Sequence, residues 1–206
     1  MPAGFVFCCF NSNHKISPDV FAAWMRLLNA VPGSILWLLK DNDSAVRNLR
    51  ETARAHGVAP DRLVFAMRTD PLSHLARQRL ADLFLDTHPY NAHTTASDAL
   101  WTGLPLLTLR GPTFASRVGA SVVTAAGMPE LVTTSLEQYE ALALELARNP
   151  ERLKAIRRKL EANRHSCALF DTARFTRNLE AAYTTMWERS QRGLPPESFS
   201  VPTVIP

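Results

Sequence analysis

The run Ile35-Leu-Trp-Leu-Leu39 is apolar at every position. A short stretch of this kind reads as a strand buried on both faces, the habit of a parallel sheet packed between helices. Its surroundings repeat the theme. A strand near Phe5–Phe10 leads through a polar loop, Asn11–Ser17, to a helix beginning near Pro18. There Phe21, Trp24, Leu27, Leu28 and Val31 recur at helical spacing until Pro32-Gly33 stops it. After the Asp41–Ser44 turn a second helix runs to Gly57. Leu63–Phe65 reads as a third strand, Leu72–Arg79 as a short helix and Leu83–Leu85 as a fourth strand. A helix after Thr95 ends near Gly103, and Leu104–Leu109 gives a fifth strand, its proline near the start where a missing donor is tolerated. Past residue 130 the pattern reads as wholly helical: Leu136–Arg148, Pro150–Asn163 and Phe175–Ser190. Strands alternating with helices over this many rounds imply right-handed crossovers. The expected fold class is therefore α/β, a Rossmann-like parallel sheet with extra C-terminal helices.

One lobe is expected over residues 1–192, followed by an irregular tail, 193–206, that contains four prolines. Met1–Phe10 is apolar but lacks a basic leader and a long apolar core, so it reads as a first strand and not a signal peptide. Phe5, Phe7 and Phe10 stand at an abrupt start with nothing upstream to cover them, which suggests the second half of a larger protein. The net charge of +4 suits a small anionic ligand and falls short of what nucleic acid would call for. No apolar run approaches the ~20 residues of a membrane span. Cys8, Cys9 and Cys167 are too few for a disulfide framework or a zinc site, so the expected compartment is the reducing cytoplasm.

In an open α/β sheet, ligands bind beyond the carboxyl ends of the strands. Three polar loops are placed there and should face one crevice: Asn11–Lys15, Arg68–His74 and His88–Thr95. The stretch from Asp86 to Asp98 is the most telling, because it joins a strand to a helix. Such a junction offers free backbone N–H groups and the positive end of a helix dipole to an anion. His93, Thr94 and Thr95 add three hydrogen-bonding side chains, and a nucleoside diphosphate is the ligand this suggests.

Each residue also has a plainer explanation. Lys15 is a cation for a diphosphate or a solvated loop lysine, and its place in the first strand-to-helix loop favours the former. His93-Thr94-Thr95 binds an anion or merely caps a helix, with Thr95 and Asp98 spaced as a capping box. Asp98 closes that cap or accepts from a ribose diol. His74 and Arg77, one turn apart, recognise a base or lie on a half-exposed helix face. Asp41-Asn42-Asp43 resembles a metal–nucleotide motif, yet it sits where Asp is a favoured helix cap; a metal-dependent transferase built on Asp41 and Asp43 is the minor alternative. The basic run Arg152, Lys154, Arg157, Arg158 and Lys159 reads as a solvated helix face. Neither a Gly-x-Gly-x-x-Gly loop nor a Walker loop occurs.

Several segments resemble the C-terminal catalytic lobe of the O-linked N-acetylglucosamine transferase family and its bacterial homologues. They are Phe10-Asn11…Lys15-Ile16, Val31–Leu39, Leu80–Thr87, Asn91–Trp101, Phe114–Val118, Leu169–Thr172 and Met186-Trp187. The resemblance implies the donor-binding lobe of a GT-B glycosyltransferase whose active site lies between two lobes. It implies inverting, metal-independent transfer of a sugar, N-acetylglucosamine by preference, from a UDP donor to protein Ser or Thr, with no cofactor. By the same resemblance Lys15 contacts the diphosphate and assists the leaving group, His74 stacks on uracil and Arg77 lies near the base. His93, Thr94 and Thr95 contact phosphate and sugar, and Asp98 holds the ribose. The partners implied are a protein acceptor, an N-terminal catalytic lobe carrying the family's proposed active-site histidine, and tetratricopeptide repeats, in cis or as a separate chain. Three positions depart from the animal enzymes. Ser12 replaces a diphosphate-contacting glutamine, Pro71 a ribose-contacting lysine, and Tyr90 a small residue beside the N-acetyl pocket. A related GDP-fucose branch lacks the His of the triplet and carries Glu at the position of Asp98, so His93 and Asp98 favour UDP. The alternatives are a non-catalytic UDP-binding module and a relative using UDP-glucose or GDP-fucose.

Overall fold

The computed structural model describes residues 4–201. Six strands form one parallel sheet: β1 (Val6–Cys9), β2 (Ile35–Leu39), β3 (Leu63–Ala66), β4 (Leu83–Leu85), β5 (Leu106–Leu109) and β6 (Val132–Thr133). Their order is β3-β2-β1-β4-β5-β6, the doubly wound arrangement in which the chain reverses direction across the sheet between β1 and β4. The Rossmann-like α/β expectation is met. The crossovers are α1 (Pro18–Ala30), α2 (Asp43–Ala55), α3 (Pro71–Gln78), α4 (Thr94–Trp101) and α5 (Val118–Ala125). The last three helices are α6 (Leu136–Arg148), α7 (Pro150–Asn163) and α8 (Thr172–Gln191).

Two details differ from the sequence reading. The region past residue 130 is not wholly helical, because Val132 and Thr133 pair with Thr108 and Leu109 to add a sixth strand. A two-residue strand has no periodicity of its own and exists only by pairing. Helix α5 was likewise not foreseen. It starts without a side-chain cap and is made of small and β-branched residues, so neither its start nor its stripe is marked.

The central strands β1, β4 and β5 are buried at every position. Two of the three phenylalanines at the start are covered without any upstream segment. Phe7 and Phe10 are closed off by this chain itself, Phe10 edge-on to Trp37 and Phe84. Residues 1–3 of the predicted first strand lie outside the described residues.

Helix starts follow local chemistry. Ser17, Asn42, Asp70, Ser135, Asn149 and Asp171 each accept a backbone N–H of the first turn of α1, α2, α3, α6, α7 and α8. Across one face of the sheet, Trp24 of α1 donates to the Tyr139 hydroxyl of α6 at 3.0 Å, and Tyr139 donates to the Asp86 carbonyl at 3.0 Å. All three side chains are buried. This bonded column ties two helices to the end of β4, the strand from which the second half of the crevice emerges.

On α5, Gly119 packs directly against the sheet. A Cβ there would lie 2.4 Å from Asp86 Oδ2 and 2.5 Å from Thr108 Oγ1. Gly119→Ala is therefore expected to cost about 1–3 kcal/mol through overpacking, a fall in Tm of roughly 3–10 °C. A thermal melt unchanged from wild type would show that α5 has room to shift.

The segment after Gly193 forms no helix or strand as far as residue 201, yet it is tethered: Arg189 donates to the Pro195 carbonyl at 3.0 Å and pairs with Glu197. Residues 202–206 of the predicted tail lie outside the described residues. Along α8, Phe175, Leu179, Tyr183, Met186 and Trp187 are exposed. Among the described residues no helix is long and apolar enough to cross a membrane.

Candidate functional site

The loops after β1 and β4 emerge side by side at the topological switch, where a doubly wound sheet opens a crevice. The first carries a single 3-10 turn, Asn13–Lys15, begun by Ser12, whose carbonyl accepts the Lys15 N–H at 3.0 Å. Asp41 at the end of β2 anchors this turn. Its Oδ2 accepts the Asn13 N–H at 2.5 Å, and its Oδ1 accepts from Arg68 at 2.9 Å, so three loops are tied through one carboxylate. Asp43 instead pairs with Lys40 at 2.7 Å, and the cap of α2 is Asn42 rather than an aspartate. No group of three His, Cys, Asp or Glu side chains that could hold a metal ion occurs among the described residues.

Lys15 reaches across the switch. Its Nζ donates to the Asn91 carbonyl at 3.1 Å and stands 3.8 Å from the centre of the Tyr90 ring. Burial holds its ammonium below the usual lysine range, while Asp86 and Cys9 pull the other way. Beside it His93 is held below the ordinary imidazole range by burial and by the Lys15 charge, so it is neutral at pH 7. Its Nε2 is closed off from solvent without a hydrogen-bond partner, and its ring lies 5.5 Å from Tyr90 and edge-on to Phe114.

Helix α4 opens at His93 with no side-chain cap, unlike α1, α2 and α3. The Thr95–Asp98 capping box foreseen from spacing is not formed. The Thr95 hydroxyl instead donates to Asn11 Oδ1 at 2.6 Å, across the crevice floor. Thr94 is exposed. The first N–H groups of α4, with the positive end of its dipole, are thus left to an external acceptor.

The third loop completes the rim. Arg77 Nε donates to His74 Nδ1 at 3.0 Å and its Nη1 to the Met67 carbonyl at 2.6 Å. Since arginine only donates, His74 Nδ1 must be the acceptor and its Nε2 carries the proton. Burial, and then the Arg77 charge, keep this imidazole neutral, and its ring stands edge-on to Phe10 at 5.4 Å. Asp98 lies close enough to feel His74; burial raises its carboxyl above the usual range. The arrangement therefore brings Ser12, Lys15, His74, Arg77, His93, Thr94, Thr95 and Asp98 to one rim. Pro71, at the first position of α3, is exposed.

Sequence reasoning missed what lies beneath. Asp86, buried with Asn11 and Asn91, accepts four hydrogen bonds and organises both loops. The one available signal was a carboxylate directly following the all-apolar Leu83–Leu85. A separate cavity of about 550 Å³, lined by Pro32, Gly33, Ile35 and Arg62, lies at the opposite, amino-terminal edge of the sheet and shares none of these residues.

Residues 2–179 match the model of the family described as "Glycosyl transferase family 41". The chain belongs to that family. Among curated relatives, the chain is 40% identical over 198 residues to a protein of Arabidopsis thaliana named "Probable UDP-N-acetylglucosamine--peptide N-acetylglucosaminyltransferase SEC". It is 36% identical over 201 residues to the UDP-N-acetylglucosamine--peptide N-acetylglucosaminyltransferase of Caenorhabditis elegans. These alignments take in 96% and 98% of this chain but only 20% and 18% of the relatives. Among solved structures, a mutant of the Thermobaculum terrenum O-GlcNAc transferase superposes with a TM-score of 0.88 at 34% identity, over 92% of this chain and 37% of that one. This family 41 chain thus spans about a fifth of the length of these curated relatives, and its sheet is that of a GT-B glycosyltransferase.

Proposed function

We propose that this chain is the donor-binding lobe of an inverting O-linked glycosyltransferase that moves N-acetylglucosamine from a UDP donor to Ser or Thr hydroxyls of a protein, in the cytoplasm. Membership of family 41 and the names of its relatives support a UDP-sugar transferase acting on proteins. The observation that carries the site assignment is the meeting of Lys15, His93 and Thr95 at the open end of α4, with His74 and Asp98 on the same rim.

In this reading the diphosphate sits on the N–H groups that open α4, and Lys15 turns from the Asn91 carbonyl to the departing phosphate oxygen. The acceptor hydroxyl attacks the anomeric carbon from the face opposite the diphosphate. The C1–O bond breaks, and its electron pair goes to UDP. Lys15 stabilises that growing charge, and the diphosphate in turn favours the charged form of Lys15. His74 faces the uracil ring, Arg77 fixes His74, and Asp98 accepts from the ribose hydroxyls. The proton of the acceptor hydroxyl goes to a base on the far wall of the cleft, which belongs to an N-terminal lobe. With Lys15 supplying the positive charge, no metal is needed and no cofactor enters.

Calorimetric titration of the chain with UDP and with UDP-N-acetylglucosamine tests the binding half, and both are expected to bind equally well with and without EDTA. Transfer to a protein acceptor is expected only when an N-terminal lobe is present. Binding that transfer never follows would identify a non-catalytic UDP-binding module. Loss of binding in EDTA would reinstate a metal site, and no heat with either nucleotide would refute the donor reading.

A further inference from the structure

Asn11 and Asp86 stand behind the rim rather than on it. Asn11 is 2% exposed and Asp86 is 0% exposed, so neither can touch a bound ligand. Yet they are linked to the rim by hydrogen bonds of fixed direction. Asp86 Oδ1 accepts from the N–H of Thr87 at 2.8 Å, the N–H of Ala92 at 2.7 Å and Asn11 Nδ2 at 3.3 Å, while Oδ2 accepts from Thr108 at 2.7 Å. Asn11 Nδ2 donates a second bond, to Thr87 Oγ1 at 2.8 Å. With its amide nitrogen so committed, Asn11 can present only Oδ1 to Thr95, and Oδ1 only accepts.

The consequence falls on Thr95. Its hydroxyl proton is spent on Asn11 at 2.6 Å, so the oxygen turns a lone pair, and not a proton, toward the crevice. Thr95 therefore offers an incoming donor a backbone N–H for phosphate and a side-chain acceptor for a ligand hydroxyl.

We propose that Asp86 and Asn11 are positioning residues that set the polarity of the donor crevice: Asp86 fixes the Asn11 amide, and Asn11 fixes the Thr95 hydroxyl as an acceptor. All four groups bonded to Asp86 are uncharged, so no ion pair repays its burial. Burying a carboxyl group with no ion partner is costly whether it is ionised or must hold its proton, which argues against a role in stability alone. The inference rests on the donor reading of the rim.

The test is a double-mutant cycle on the 206-residue chain, with UDP-N-acetylglucosamine as the probe in calorimetry. Asn11→Ala is expected to weaken binding about tenfold in the wild-type background and less than threefold in a Thr95→Val background, because its effect passes through that hydroxyl. Equal losses in both backgrounds, or no loss in either, would overturn the proposal. Asp86→Asn keeps an oxygen for the three N–H donors and is expected to bind within about threefold of wild type, whereas Asp86→Leu is expected to lose tenfold or more. A tenfold loss in Asp86→Asn with an unchanged urea midpoint would equally overturn it, and this arm stands even if Asn11→Ala fails to fold. A wild-type chain that binds no UDP-sugar would instead refute the donor reading itself.

Discussion

Replacing Lys15 with alanine is expected to lower sugar transfer by about 10²–10³-fold, the usual loss when one preorganised donor to a developing negative charge is removed, while UDP affinity falls less than about tenfold. The asymmetry follows from what the lysine does at rest. Its ammonium is held by the Asn91 carbonyl and the face of Tyr90, both supplied by the loop after β4. In the ground state a diphosphate would also have the N–H groups at the start of α4, so Lys15 is one contact among several. In the proposed transfer, charge accumulates on the bridging oxygen as the C1–O bond breaks, and the lysine would gain most at that moment. Steady-state kinetics with the proposed N-terminal lobe supplied should show the loss in kcat rather than KM. Lys15→Arg should recover little, since a planar guanidinium cannot pack end-on between Asn91 and the Tyr90 ring as an ammonium does. Near-normal kcat for Lys15→Ala would remove it from the chemistry. The fold should survive, because Lys15 is only half-buried.

The residues on the rim were legible in the sequence because loop position in a doubly wound sheet is dictated by strand order. Once Ile35–Leu39 and Leu83–Leu85 read as buried parallel strands, the loops after their neighbours had to face one edge. That placed Lys15, His74 and His93 together without any side-chain geometry. Helices α6 and α7 were equally plain, with Ser135 and Asn149 at their caps and Pro150 opening the second. What escaped was everything set by long-range pairing. Strand β6 is two residues held by β5. The hydroxyl of Thr95 looked like half of a local capping box, yet its partner, Asn11, is 84 positions away. Asp86 carried no pattern of its own, because a buried carboxylate is recognised only by the donors folded around it, one of them 75 positions distant. Local rules describe helix ends well until a tertiary acceptor competes for the same hydroxyl, and here the tertiary acceptor wins.

Asp86 also predicts how stability responds to pH. Burial pushes its carboxyl from an ordinary 3.8 up to about 7, against the opposing pull of Thr108, Ala92, Thr87 and Asn11. Between those two values the native chain holds a proton that the unfolded chain has released. Stability must therefore fall as pH rises through that window and level off above it, the reverse of a salt-bridged aspartate. Cys9 and Tyr139 are pushed upward by burial and stay neutral across the window. His74 and His93 are lowered and give the opposite slope, costing stability as pH falls through the free-imidazole range, so the wild-type curve alone mixes two signs. Comparison with Asp86→Asn separates them, because both histidines remain while the titrating carboxyl is gone. In urea denaturation from pH 5 to pH 8, wild type is expected to lose about 2 kcal/mol or more relative to Asp86→Asn, at ~1.4 kcal/mol per pH unit of the window crossed. Parallel curves would mean that Asp86 keeps its charge throughout, and that its four neutral donors alone suffice to hold a naked carboxylate in the core.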